Sequence, residues 1–218
     1  MAKNYTVVYG AKCVGKSTII GSAVKGRRGV LLIRVPCNTS KEDITRMIAR
    51  TTGTTTLNPE NGDFFAAMRI GLGDDGTIPT IIFEIDRGTS VERMGGLQTV
   101  RSLAEEFSVV CTVILVLSEA SAAPEFDVDR AEFIYVEEFT ELEARQYFTA
   151  LGMKLSDADI KYYIANVGAN PLAIFRLDVK MTEEGMSVQE FVAWILMGYS
   201  GSCSFSPQGD IEGTQRAS

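Results

Sequence analysis

Eight residues near the start of the chain, Gly10-Ala11-Lys12-Cys13-Val14-Gly15-Lys16-Ser17, carry the spacing GxxxxGK[ST]. Each fixed position answers a need of phosphate chemistry. Glycines at 10 and 15 allow backbone angles and close approaches that a Cβ obstructs. The N–H groups from Ala11 to Thr18 then converge on one anion, helped by the positive end of the helix that follows. In this arrangement Lys16 reaches the β- and γ-phosphates, and the Ser17 hydroxyl is a ligand for Mg2+. The competing reading is a glycine-containing turn. It is disfavoured because the β-branched and aromatic run Thr6–Tyr9 precedes the segment and a helical pattern follows it.

A phosphate cradle of this kind needs acids on a neighbouring strand, one to hold the metal and one to orient the attacking water. Ile81-Ile82-Phe83-Glu84-Ile85-Asp86 supplies two, one residue apart. Residues two apart on a strand face the same way, so both acids reach the same side. Glu84, at the end of the hydrophobic run, is assigned to the metal with Ser17, and Asp86 to the water. The reverse assignment is nearly as good, and capping of the next turn is the structural alternative for each. Ser118, where the fourth apolar run ends, occupies the place of a γ-phosphate sensor or simply terminates a strand. Arg130, in the acidic segment Asp127-Val-Asp-Arg130, is read as a surface ion pair ahead of an arginine finger. Cys13 is read as an inert thiol ahead of a redox-sensitive one.

These residues need strands and helices to carry them. Thr6–Tyr9, Val30–Val35, Thr80–Ile85, Val109–Leu117 and Glu132–Val136 read as five strands. The middle three are apolar runs, as expected where helices cover both faces of a parallel sheet. Lys16–Val24 reads as the first helix. Ser40-Lys-Glu-Asp43 looks like a capping box opening a second, with Ile44, Met47 and Ile48 on one face. Phe64–Leu72 reads as a further helix and the threonine-rich Thr51–Thr56 as a loop. The expected fold is therefore α/β, a parallel sheet of the P-loop NTPase kind with helices on both faces. After Phe139 the strands cease. Glu141–Leu151, Ser156–Val167, Pro171–Met181 and Val188–Met197 are four helical patterns, expected to form a small lid. The expected organisation is a core at 1–139, a lid at 140–197, and a disordered tail or truncated linker at 198–218, where Gly, Ser, Gln and Thr dominate.

Two later segments narrow the reading. Phe133-Ile-Tyr-Val-Glu-Glu-Phe-Thr-Glu-Leu-Glu resembles the junction of AAA+ and STAND ATPases where the last core strand meets the lid. Val167-Gly-Ala-Asn-Pro171-Leu resembles the GxxP or "GNPL" element of STAND and archaeal-type ATPases, in which the proline region lies over the bound nucleotide. By itself that segment states only a Gly-Asn turn before a helix with Pro at its first position. With the cradle, the acidic third strand and Ser118, the resemblance spans roughly residues 5–180. The EID arrangement also looks like the NTPase modules of crinkler effectors and retrotransposon-hot-spot proteins. The adjacent Asp-Glu pair of the family is missing, which puts efficient hydrolysis in question. Without a winged-helix or effector pattern after the helices, the chain is expected to be either an isolated module or one whose remainder was removed. The resemblance implies ATP and Mg2+ as ligands, Pro171 near the nucleotide, and a switch or motor module with a protein partner or self-association.

Composition narrows the alternatives. The chain has 218 residues and a formal net charge of −7, which offers no electrostatic footprint for nucleic acid or an anionic membrane. The absence of histidine excludes every imidazole-based mechanism. Cysteines at 13, 37, 111 and 203 form no CxxC pair, so neither zinc nor a disulfide framework is expected, and a reducing intracellular compartment is. The N-terminus enters a strand pattern at once, which is not the pattern of a signal peptide. A small-molecule kinase is the alternative enzyme, disfavoured because Arg145 and Arg176 are the only arginines after residue 140 of the helical patterns. A GTPase is disfavoured because Leu117-Ser-Glu-Ala-Ser-Ala is not a guanine-reading segment. A nucleotide-holding scaffold without turnover is the alternative of a different class.

Overall fold

The computed structural model describes residues 5–36, 39–53, 78–85, 90–109, 111–117, 123, 126 and 129–197. Along the chain run β1 (Tyr5–Gly10), α1 (Lys16–Val24), β2 (Val30–Val35), α2 (Lys41–Thr52), β3 (Thr80–Ile85), α3 (Ser90–Phe107), β4 (Thr112–Leu117) and β5 (Ala131–Val136). Four helices follow: α4 (Glu141–Ala150), α5 (Asp157–Val167), α6 (Pro171–Glu184) and α7 (Val188–Leu196). The strands form one parallel sheet in the order β2-β3-β4-β1-β5.

That order decides which helix covers which face. The chain leaves β1 for the far edge strand β2, then returns strand by strand through β3 and β4. Right-handed crossovers running in opposite directions put their helices on opposite faces. Accordingly Ile20 and Val24 of α1 pack on Val8, Ile82 and Val116. Ile44 and Ile48 of α2, with Val100, Leu103 and Phe107 of α3, pack on Val7, Ile33, Phe83 and Leu115 on the other side. The strands are apolar on both sides because both sides are covered. The C-terminal helices have a core of their own, around Phe148, Tyr163, Ile174, Leu177 and Phe191.

Two expectations are corrected. The fourth strand begins at Thr112 rather than Val109, which is 83% exposed in the turn after α3. Hydrophobicity marked the run, but Cys111 N–H still bonds Phe107 O, so the chain is leaving a helix there. Thr51 and Thr52 belong to α2, not to a loop. Their hydroxyls bond the carbonyls of Met47 and Ile48 at 2.9 Å, which satisfies them within the helix. The Ser40 cap is present, its Oγ accepting from Asp43 N–H at 3.2 Å. The Phe64–Leu72 pattern and the tail from 198 lie outside the described residues.

Candidate functional site

The loop between β1 and α1 lies at the carboxyl ends of the strands. There the helix after β1 packs on one face of the sheet and those after β2 and β3 on the other, and open α/β sheets take ligands where the crossovers change face. Gly10 is the last residue of β1, paired in register with Val136 of β5. A Cβ at Gly10 would collide with the Val136 carbonyl oxygen, so the close packing of these two strands excludes any other residue. Gly15 caps α1 with φ +93°, a left-handed conformation that glycine adopts without strain. Between them Cys13 has φ +67°, the only non-glycine residue with positive φ among those described.

Lys16 opens α1 and is only 6% exposed. Its ammonium folds back over the loop and donates to Gly10 O at 3.0 Å and Ala11 O at 2.7 Å. The Ser17 hydroxyl donates to Glu84 Oε1, which ties the first turn of α1 to β3 across the intervening strand β4. The other oxygen of Glu84 accepts from Arg34 Nε at 3.1 Å. Arg34 stands directly opposite Glu84 in the β2–β3 register, with its side chain 79% exposed and that of Glu84 18% exposed. An ion pair so open to water contributes about 0–1 kcal/mol to stability.

From the C-terminal helices, Asn170 reaches the loop. Its Nδ2 donates to Lys12 O at 3.0 Å, while its Oδ1 accepts from Leu172 N–H at 3.0 Å and Ala173 N–H at 3.4 Å as the cap of α6. Pro171 is the first residue of that helix, where its missing N–H costs nothing.

The structure thus brings together Gly10, Ala11, Lys12, Cys13, Gly15, Lys16, Ser17 and Glu84, with Pro171 one residue from the contact to the loop. Val14 is buried beneath the loop, and Thr18 is exposed on α1. Asp86 and Ser118 lie outside the described residues. Arg130 pairs with Glu105 at 3.2 Å, the surface ion pair expected of it. Sequence reasoning missed Arg34 and Asn170. The signals were a lone charge inside the apolar run Val30–Val35 and a capping residue type immediately before Pro171.

Ser17 and Glu84 offer a hydroxyl and a carboxylate, hard oxygen donors that suit Mg2+. Among the described residues no cluster of three or more Asp, Glu, Cys or His side chains is present to cage a metal. An ion held through only two protein donors completes its shell with water and phosphate oxygens, the usual habit of Mg2+. Cys111, the other described cysteine, is no nucleophile: burial pushes its thiol up to about 12.

No family model matches the chain, and no curated protein matches it in sequence. Solved structures do match in shape. A Walker-type ATPase of Pyrococcus abyssi superposes with a TM-score of 0.58 at 14% identity, covering 89% of this chain and 67% of that one. A STAND protein with a tetratricopeptide-repeat sensor from Pyrococcus horikoshii gives 0.50 at 12%, covering 85% and 31%. The ORC2 protein of Aeropyrum pernix, solved as complexes with ADPNP and ADP, gives 0.50 at 15%, covering 88% and 61%. The chain spans less than two thirds of the latter two proteins. The likeness is one of fold: the structure is similar to AAA+ and STAND P-loop ATPases, with the strand order 2-3-4-1-5 of the AAA+ group followed by C-terminal helices. Among the described residues no helix is long and apolar enough to cross a membrane.

Proposed function

We propose that the chain binds ATP with Mg2+ and hydrolyses it, serving as a nucleotide-dependent switch or motor module. The observation that carries this reading is the hydrogen bond from Ser17 to Glu84, which joins the phosphate loop to the acid of β3 at the point where a metal would be shared. In the proposal the backbone N–H groups of residues 11–18 hold the phosphates. Lys16 leaves the carbonyls of Gly10 and Ala11 to neutralise the β- and γ-phosphates. Ser17 and Glu84 hold the metal, which when bound offsets developing charge on the phosphate oxygens. Asp86 orients the attacking water, Ser118 senses the γ-phosphate, and Pro171 lies over the nucleotide. Residues 1–139 act as the core, 140–197 as the lid and 198–218 as a tail, with a protein partner or a second copy reading the lid angle.

The test is ATP binding by calorimetry together with phosphate release, in the full chain and in Lys16→Ala. Loss of charge-assisted hydrogen bonds to phosphate predicts ATP affinity lower by about 10- to 100-fold and turnover reduced to background. A folded wild-type chain that binds no ATP ends the reading. Binding without phosphate release favours the scaffold, and phosphate transfer to an added acceptor favours the kinase.

A further inference from the structure

Asn170 is bonded through both ends of its side-chain amide, to the phosphate loop on one side and to the start of α6 on the other. Its amide nitrogen holds the Lys12 carbonyl at 3.0 Å, and its oxygen is fixed by two backbone N–H groups of α6. The side chain is therefore a short strut with no freedom to turn. What it grips is one edge of a peptide plane. Among the described residues no peptide is cis, and in a trans peptide the N–H points opposite to the C=O. Holding Lys12 C=O toward the lid therefore turns Cys13 N–H away from it. Cys13 itself sits at φ +67°, a conformation that a side-chain-bearing residue adopts only under constraint. Successive N–H groups in right- and left-handed residues make the concavity that binds anions, and this peptide belongs to that concavity.

We propose that Asn170 is a positioning residue for the phosphate cradle: by holding the Lys12 carbonyl toward the lid, it turns the Cys13 N–H into the loop and keeps the strained cradle formed before phosphate arrives. The inference rests on the reading of the loop as a phosphate site and adds that the lid preorganises it. Release of the lid removes this restraint on the 12–13 peptide and favours a flip that takes away one donor and relaxes Cys13. Affinity for phosphate is then a function of lid position through one named bond.

The test uses Asn170→Ser, Cys13→Gly and the double variant in the full chain, with ADP and pyrophosphate as probes in calorimetry. Serine remains a good cap for α6 but is too short to keep the amide bond to Lys12. Asn170→Ser is expected to weaken both probes about three- to tenfold. Glycine accepts the left-handed conformation without strain, so in the Cys13→Gly background the same substitution is expected to cost less than twofold. That coupling is the readout, because loss of a helix cap alone gives the same factor in both backgrounds. Equal factors, or an Asn170→Ser variant that binds like wild type, overturn the proposal while leaving the phosphate site standing. A folded wild-type chain that binds neither probe overturns both.

Discussion

At the residue scale, Glu84 takes the Ser17 hydroxyl on one oxygen and Arg34 on the other. On the proposed reading, a divalent ion at Ser17 meets an acid that already faces it and is paired with the exposed Arg34. Glu84→Gln keeps an oxygen for Ser17 but removes the charge. We expect ADP affinity without Mg2+ to stay within about threefold of wild type, while the gain in affinity on adding Mg2+ falls by about tenfold or more. Titration of ADP with and without the metal checks this, and an undiminished Mg2+ effect assigns the metal to another acid. Ser17 and Glu84 were legible in the sequence because motif spacing and strand periodicity both pointed at them. Arg34 and Asn170 were not, because their partners lie 50 and 158 residues away and only the folded register brings them close.

At the scale of elements, the strands β2 and β3 and the helix α1 were legible to the residue, since Gly and Pro bound them and apolar runs fill them. The start of β4 was not, because an apolar run says that residues avoid water and not where hydrogen bonding to a neighbour begins. The C-terminal helices were legible as helical patterns, except that α6 runs past the expected Met181 to Glu184, and caps fix their starts. Thr140 with Glu143 and Ser187 with Glu190 form reciprocal capping boxes, and Ser156 caps α5 through Asp159 N–H. These bonds favour ionised carboxylates. The Thr140 backbone N–H lowers Glu143, the Ser187 backbone N–H lowers Glu190, and the Ser156 hydroxyl with Gln189 lowers Asp159. Asp157 is lowered by Lys161 and then Arg145. Folded values below unfolded ones contribute stability that is full above the unfolded carboxylate range and lost as pH falls through the folded values. The single tryptophan, Trp194 in α7, reports this segment. Its melting temperature is expected to hold between about pH 7 and 5 and to fall below about pH 4. A flat profile down to pH 3 removes the caps from the account.

At the scale of the molecule, two hydrophobic clusters share no residue, one under the sheet and one among α4–α7. Among the described residues, the links between them include the chain at 137–140 and the bond from Asn170 Nδ2 to Lys12 O on the loop. On the proposed reading, the bond from Asn170 lets a change at the loop bias the position of the helices. ADP at a hundred times its dissociation constant is expected to stabilise the chain by about 2.7 kcal/mol. The Trp194 transition should rise with the far-ultraviolet transition. A rise in the sheet's melting alone shows that the helices do not follow the nucleotide.

The Lys16 ammonium, resting on the carbonyls of Gly10 and Ala11, bears on traffic through the site rather than on holding. An unsatisfied buried cation would cling to any anion that reached it, and letting go would restore a costly orphan. Here carbonyls of the loop itself satisfy the cation. On the proposed reading, a departing anion leaves these carbonyls to receive the charge. That reading has the loop favour exchange of occupants over permanent tenancy, with affinity given up for an easy exit.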